Sequence, residues 1–261
     1  MKLTSHQQHI VNDAALQAGN LIMTYRNDWL KDGFDVERKQ DDSPVTEADK
    51  AADRHICRIL ERLTPDIPVI SEEGSHNEAA AKDGIFWCVD PLDGTKTFIR
   101  GGKNFTVNIG LIYNFMPVYG VIVAPAHAEL YYGCVCSASA YKSVNGSDAF
   151  PISTRPTPAT HQGLTAFVSK HHGAKIDQQL KETYNITDNI AASSSIKFCR
   201  IAEGLGDIYP RFGPTMEWDT AAGHAILIAA GGRIDVMHDN HPLRYSKKGF
   251  LNSTFVAYGS A

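Results

Sequence analysis

The apolar run Ile85-Phe86-Trp87-Cys88-Val89 passes without a break into Asp90-Pro91-Leu92-Asp93-Gly94-Thr95. A short, uninterrupted apolar stretch rich in branched and aromatic residues reads as a buried strand. Its acids therefore stand at the strand exit, where a chain leaves its sheet and ligands dock. Pro91 keeps Asp90 extended and stiffens the turn. Two carboxylates this close repel each other unless a cation is shared between them, and Gly94-Thr95 exposes backbone in the manner of a phosphate contact. Metal and phosphate are the chemistry this stretch suggests.

The chain has 261 residues, 43% of them hydrophobic, which suits one large core or two closely packed lobes. A formal net charge of -4 leaves no broad basic field, so a nucleic acid polymer is not an expected partner, and an anionic substrate must meet local cations or metal. The five cysteines, Cys57, Cys88, Cys134, Cys136 and Cys199, lack a paired zinc framework and read as free thiols in a reducing cytoplasm. Cys134-x-Cys136 reads more simply as two same-face strand residues than as half a metal site. No apolar segment approaches membrane-spanning length, which leaves peripheral contact with the inner membrane open, as it leaves the oligomeric state.

Thr4 or Ser5 with Gln7 or Gln8 resembles a capping box, followed by Ile10, Ala14, Ala18, Leu21 and Tyr25 at helical spacing. A second helix is expected from Thr46 to a stop before Pro65, with the polar loop 39–44 between the two. Strands are expected at 86–90, around Val107, Ile109 and Leu111, at 118–123 and at 129–134. From Leu164 onward, strand and helix character alternate over 165–169, 174–184, 196–203, 207–211 and 219–230. The Pro, Ser and Thr-rich stretch 149–161 is the expected boundary between an N-terminal α+β lobe, 1–150, and a C-terminal α/β lobe, 151–261.

Acids recur at other element ends. Val69-Ile70 leads to Ser71-Glu72-Glu73, and Asp219 opens the Ala-rich stretch that runs to Ala230. Each has a plain reading as well. Glu73 suits a solvated loop, Asp219 complements a helix N-terminus for roughly 0.3 to 1 kcal/mol, and Thr46-x-x-Asp49 is a variant capping box.

Taken in order, Asp49, Glu72-Glu73, Asp90 to Thr95 and Trp218-Asp219-x-x-Ala222 resemble the lithium-sensitive, magnesium-dependent phosphatases of the inositol monophosphatase superfamily. Lys96, the block Ser193 to Gly204 and the stretch Tyr209 to Gly223 are similar to its bacterial 3'(2'),5'-bisphosphate nucleotidases. The resemblance implies a layered αβαβα fold of α+β class, with a mainly antiparallel first sheet and a smaller second lobe. It implies one Mg2+ on Glu72, Asp90 and the carbonyl of Leu92, and a second on Asp90, Asp93 and Asp219. A third, weakly held ion near Glu72 and Glu73 is also implied, Glu73 being the less secure ligand. Asp49 and Thr95 take the family's positions for activating the attacking water.

By the same resemblance, Gly94 and Thr95 contact the phosphate, while Ser169, His172, Ser194 and Lys197 face the nucleotide. Lys197 is then a point charge for a retained phosphate, against the alternative of an exposed helix lysine. The implied reaction converts adenosine 3',5'-bisphosphate to AMP and phosphate, with the sulfated analogue as a second substrate, in sulfur assimilation. An inositol-1-phosphatase or broad sugar-phosphate phosphatase is the alternative within the fold. A catalytically silent metal and phosphate binding module is the alternative outside enzymes.

Overall fold

The computed structural model describes residues 1–32, 37–38, 44–74, 76–156, 163–169, 178–237, 239 and 241–259. Helix α1 (Ser5–Asp32) is capped by Thr4, whose N–H donates to Gln7 Oε1 (2.9 Å) and whose Oγ1 accepts from the Gln7 N–H (3.2 Å). Its buried stripe is Val11, Ala14, Ala18 and Ile22, rotated slightly from the expected one because Ile10 and Leu21 sit at the margin. Two short antiparallel pieces, β1 (Glu37–Arg38) and β2 (Pro44–Val45), precede α2 (Glu47–Leu63). The polar stretch 39–43 lies outside the described residues. In α2, Ala48, Ala52, Ile56 and Leu60 recur every fourth residue and are buried, so one face of the helix joins the core.

The first sheet has seven strands in sequence order: β3 (Val69–Ser71), β4 (Phe86–Asp93), β5 (Thr106–Tyr113), β6 (Met116–Ala124), β7 (Glu129–Cys134), β8 (Ser139–Val144) and β9 (Phe150–Ile152). Only the β3 and β4 pair is parallel. Short helices α3 (Glu78–Ala81) and α4 (Thr95–Ile99) flank β4. The chain leaves β7 at Cys134 through a 3-10 turn over Val135–Ser137, so Cys136 does not share the strand, contrary to expectation.

The second sheet holds β10 (Leu164–Ser169), β11 (Ile186–Ala192), β12 (Ile208–Arg211), β13 (Arg233–Val236) and β14 (Phe255–Tyr258) in the order β11-β10-β12-β14-β13. Its β11-β10-β12 half is parallel and its β12-β14-β13 half antiparallel. Three helices accompany it: α5 (Gln178–Thr183), α6 (Ile196–Ala202) and α7 (Ala221–Ala229). Residues 174–177 of the expected 174–184 helix lie outside the described residues. The stretch expected as one helix from Asp219 begins as a 3-10 turn, Glu217–Asp219, before α7.

Helices α1 and α2 cover the outer face of the first sheet, α6 and α7 fill the space between the sheets, and α5 packs on β11. The expected αβαβα layering is present. What lets α7 lie so close to the first sheet is a row of glycines. Gly110, Gly120 and Gly133 are register partners on β5, β6 and β7. A Cβ on Gly110 would stand 2.8 Å from the Ala221 Cβ, and one on Gly133 2.8 Å from the Ile226 Cα. At Gly120 the Ala222 carbonyl would be closer still. Backbone thus meets backbone, and Asp219, just before α7, is brought down beside the end of β4.

Candidate active site

The acids converge where β4 leaves the first sheet. Backbone pairing sets Asp90 opposite Asn108 and Asp93 opposite Thr106, with an irregularity between them where Pro91 interrupts the ladder. Parallel pairing of β3 with β4 continues into a Glu72 N–H to Val89 carbonyl bond of 3.0 Å, which sets Glu72 beside Asp90. Asp219 arrives from the second half of the chain. Its carboxylate accepts the Met216 N–H at 2.8 Å, closing the turn that α7 extends.

Asp90, Asp93 and Asp219 each bring a carboxylate oxygen within 4.8 Å of the others. Asp90 is 1% exposed, and its Oδ1 accepts the Leu92 N–H at 3.0 Å. Burial, followed by the charges of Glu72 and Asp93, holds the Asp90 carboxyl well above the usual carboxylate range. Burial and then Asp93 do the same to Asp219. Asp93 is raised less simply, because burial is opposed by the Lys197 ammonium and by the Ser195 N–H, which donates to it at 2.6 Å. Hard oxygen donors crowded in a poorly solvated place, and pushed toward protonation by one another, suit a divalent cation. The donor set fits a hard divalent cation.

Thr95 begins α4 behind Gly94, which takes the left-handed φ of 94° that the sharp exit from β4 requires. The Thr95 hydroxyl lies 3.1 Å from Asp49 Oδ1 and 3.1 Å from the Leu92 carbonyl oxygen, both of them acceptors. Asp49 is at once the third residue of α2 and the partner of Thr46, whose N–H and Oγ1 donate to its Oδ2 at 2.8 and 2.5 Å. Capping and contact with Thr95 are therefore compatible, since they use different oxygens. Burial pushes the Asp49 carboxyl up to about 6 despite these hydrogen bonds.

A cavity of about 360 Å³ opens over the acids. Glu72, Asp93, Gly94, Thr95, Ser169, Ser194, Lys197 and Asp219 line it, so eight of the residues named from the sequence share one wall. Asp90 and Leu92 lie behind the wall. Glu73 is half-buried and not among the lining residues, and His172 lies outside the described residues. Lys197 is not an exposed helix lysine: it is 3% exposed in α6, its Nζ donates to the Ser194 carbonyl at 2.5 Å and rests 4.9 Å from the Tyr209 ring centre. Burial draws its pKa down to about 8, partly offset by Asp93.

Sequence reasoning gave no individual role to four residues here: Arg211, Tyr209 and Ser195, which line the cavity, and His76, which lies beside Glu72. Arg211 lines the cavity from the end of β12, and Tyr209 from the same strand. The signal was an Arg at the exit of a strand, the position that already identified Asp90. Ser195 was read only within a motif, yet it ties the acids to the sheet: its Oγ lies 2.8 Å from Thr106 Oγ1 and 2.6 Å from Asn108 Oδ1. His76 was not singled out either. Its ring stacks on Trp218 at 4.7 Å and its Nε2 lies 2.9 Å from the Glu72 carbonyl, which links the two acid-bearing loops.

Comparison with known proteins gives the same picture. The chain is 42% identical over 254 residues to the 3'(2'),5'-bisphosphate nucleotidase CysQ of Salmonella typhimurium (strain LT2), covering 92% of this chain and 95% of that one. The CysQ of Buchnera aphidicola is 38% identical over 247 residues, 93% of this chain and 90% of its own. The solved structure of CysQ from Bacteroides thetaiotaomicron superposes with a TM-score of 0.78 at 36% identity, covering 98% of this chain and 99% of that one. The model of the inositol monophosphatase family matches residues 5–259, nearly the whole length that carries the acids, the Thr95 and Asp49 pair and the cavity wall. This chain is a member of the inositol monophosphatase family.

Proposed function

We propose that the chain is a magnesium-dependent phosphomonoesterase that removes the 3'-phosphate of adenosine 3',5'-bisphosphate, releasing AMP. The observation that carries this reading is the pairing of two charge patterns in one cavity. Asp90, Asp93 and Asp219 converge at its floor, and Lys197 and Arg211 stand in its wall. An acidic floor alone would serve any metal-assisted phosphatase. Cations lining the same cavity give a second phosphate a place to rest.

Glu72, Asp90 and the Leu92 carbonyl would hold one Mg2+, and Asp90, Asp93 and Asp219 a second. A third, weaker site would use Glu72 and Glu73. Bound magnesium supplies Lewis acidity, lowering the pKa of a water and offsetting charge on the phosphoryl oxygens. The chain's own groups do the rest. Thr95 donates its hydroxyl proton toward Asp49, at 3.1 Å, which leaves the Thr95 oxygen free to accept from an attacking water and fix its direction. Asp49, with a pKa near 6, is basic enough to take a proton and acidic enough to return it.

The backbone of Gly94 and Thr95 borders the phosphate to be transferred, and Lys197 and Arg211 hold the one that stays. Ser169 and Ser194 face the nucleoside. The sulfated analogue has the same bisphosphate core and enters the same cavity. In this reading the lobe 1–150 supplies most metal ligands, and the lobe 151–261 supplies Asp219 and the nucleotide contacts. The test is phosphate release with Mg2+ from adenosine 3',5'-bisphosphate and from inositol 1-phosphate. A clear preference for the bisphosphate is expected, and a preference for inositol 1-phosphate would overturn the assignment.

A further inference from the structure

Cys134 ends strand β7 and Cys136 lies in the 3-10 turn that follows, and the turn folds the second side chain back over the first. Their sulfur atoms are 3.0 Å apart. Cys136 is exposed and Cys134 is 7% exposed, so one sulfur faces solvent and the other lies directly beneath it. The other three thiols are differently placed: Cys88 and Cys199 are buried and Cys57 is half-buried, and burial pushes all three up from the ordinary thiol range. Cys136 is raised too, by the hydrogen bond it shares with Cys134, so what singles it out is that it alone of the five is exposed to a reagent.

We propose that Cys134 and Cys136 form a dithiol site at which a low-molecular-weight disulfide, of the glutathione disulfide class, closes an intrachain disulfide. The exposed Cys136 sulfur, as thiolate, attacks one sulfur of the reagent. A Cys136 mixed disulfide forms and one thiolate of the reagent leaves. The Cys134 thiolate then attacks the Cys136 sulfur, and the second half of the reagent departs as thiolate. Both protons lost by the protein end on the released thiols. Two electrons pass from the cysteine pair to the reagent, and no other reactant is needed.

The geometry favours the second step in particular. A resolving thiol held 3.0 Å away needs no loop closure, which is what ordinarily makes an intramolecular exchange slow. Burial pushes the Cys134 thiol up, and in the free dithiol hydrogen bonds from Cys136 and Ser137 outweigh it; once Cys136 is in the mixed disulfide its thiol no longer donates, so it is position that makes Cys134 the resolving nucleophile. A disulfide between residues two apart is confined to the turn. Its closure brings the sulfurs together by roughly 1 Å, toward the ordinary S–S bond length.

The native chain, incubated with glutathione disulfide and then denatured and alkylated, should lose two alkylatable thiols of its five, with the missing pair mapping to the peptide that spans 134–136. Brief reduction should restore both. Cys134→Ser should instead accumulate a glutathione adduct on Cys136, and Cys136→Ser should react many-fold more slowly at every thiol. Because Cys136 is exposed, the Cys136→Ser variant keeps its core. The proposal fails if the native chain keeps five alkylatable thiols in excess glutathione disulfide, if it stops at a Cys136 adduct, or if the disulfide joins other cysteines.

Discussion

Replacing Asp219 by Asn should make the metal-free protein more stable while abolishing its chemistry. Asn keeps an oxygen to accept the Met216 N–H, so the turn into α7 survives. What it removes is a charge whose neighbours, Asp90 and Asp93, bring oxygens within 4.8 Å. At that separation and an effective dielectric of about 20, each ionised pair repels by about 3.5 kcal/mol. Proton uptake limits that cost, because burial and Asp93 already hold the Asp219 carboxyl well above its usual range. A net gain of about 2 kcal/mol is a fair expectation, equivalent to a rise in melting temperature of about 4–8 °C for a chain of this size. Calorimetry in EDTA and across a Mg2+ titration reads both halves of the prediction. The variant should melt higher than wild type without metal, gain little from Mg2+, and release no phosphate. A variant that folds normally yet melts lower in EDTA would show that the protein itself compensates Asp219, and that the acids do not await a cation.

Lys197→Met should raise KM for adenosine 3',5'-bisphosphate about 30-fold, roughly 2 kcal/mol, with a much smaller change for a substrate carrying a single phosphate. Equal losses on both would remove Lys197 from recognition of the second phosphate. His224, buried in α7 with Nδ1 3.1 Å from the Tyr245 hydroxyl, has its pKa lowered by burial to about 3. The unfolded chain therefore binds the extra proton between pH 6.5 and about 3, and stability falls as pH drops through that window. By pH 5 the loss from this residue is about 2 kcal/mol, and His224→Gln should flatten the acid limb of a denaturation series by about one proton; an unchanged slope would contradict it. Gly120→Ala should destabilise by about 1–3 kcal/mol and also cut kcat, because the added methyl meets the Ala222 carbonyl and lifts α7. Normal kcat in a destabilised variant would separate α7 packing from the site.

The strand exits were legible in the sequence because an apolar run followed by acids leaves few structural alternatives. Asp90, Glu72 and the two N-terminal helices all followed from periodicity and caps. The middle of the site was harder to see. Along β5, Val107, Ile109 and Leu111 were recognised as one buried face, which leaves Thr106, Asn108 and Gly110 to look like a solvent face. All three are buried, because α6 and α7 cover that side. A hydroxyl and an amide facing another layer of the protein look, in sequence, like ones facing water. Strand β11 was missed for a related reason: Thr187 to Ala191 are exposed at a sheet edge, so no alternation marks it. The Cys134-x-Cys136 pair was misread because nothing in its spacing shows that the strand stops between the two residues.

Contact through glycines has a mechanical consequence. Side chains absorb displacement by changing rotamer, but the seating of α7 on Gly110, Gly120 and Gly133 has no such compliance. The position of Asp219 relative to Asp90 is therefore referenced to the sheet as a workpiece is to a flat datum, and inherits the sheet's stiffness. Tolerance in this protein is distributed unevenly. The floor of the cavity is fixed by backbone, while the wall above it is built from side chains that can be exchanged one at a time. Changes of substrate should come from the wall, with the spacing of the acids left as it is.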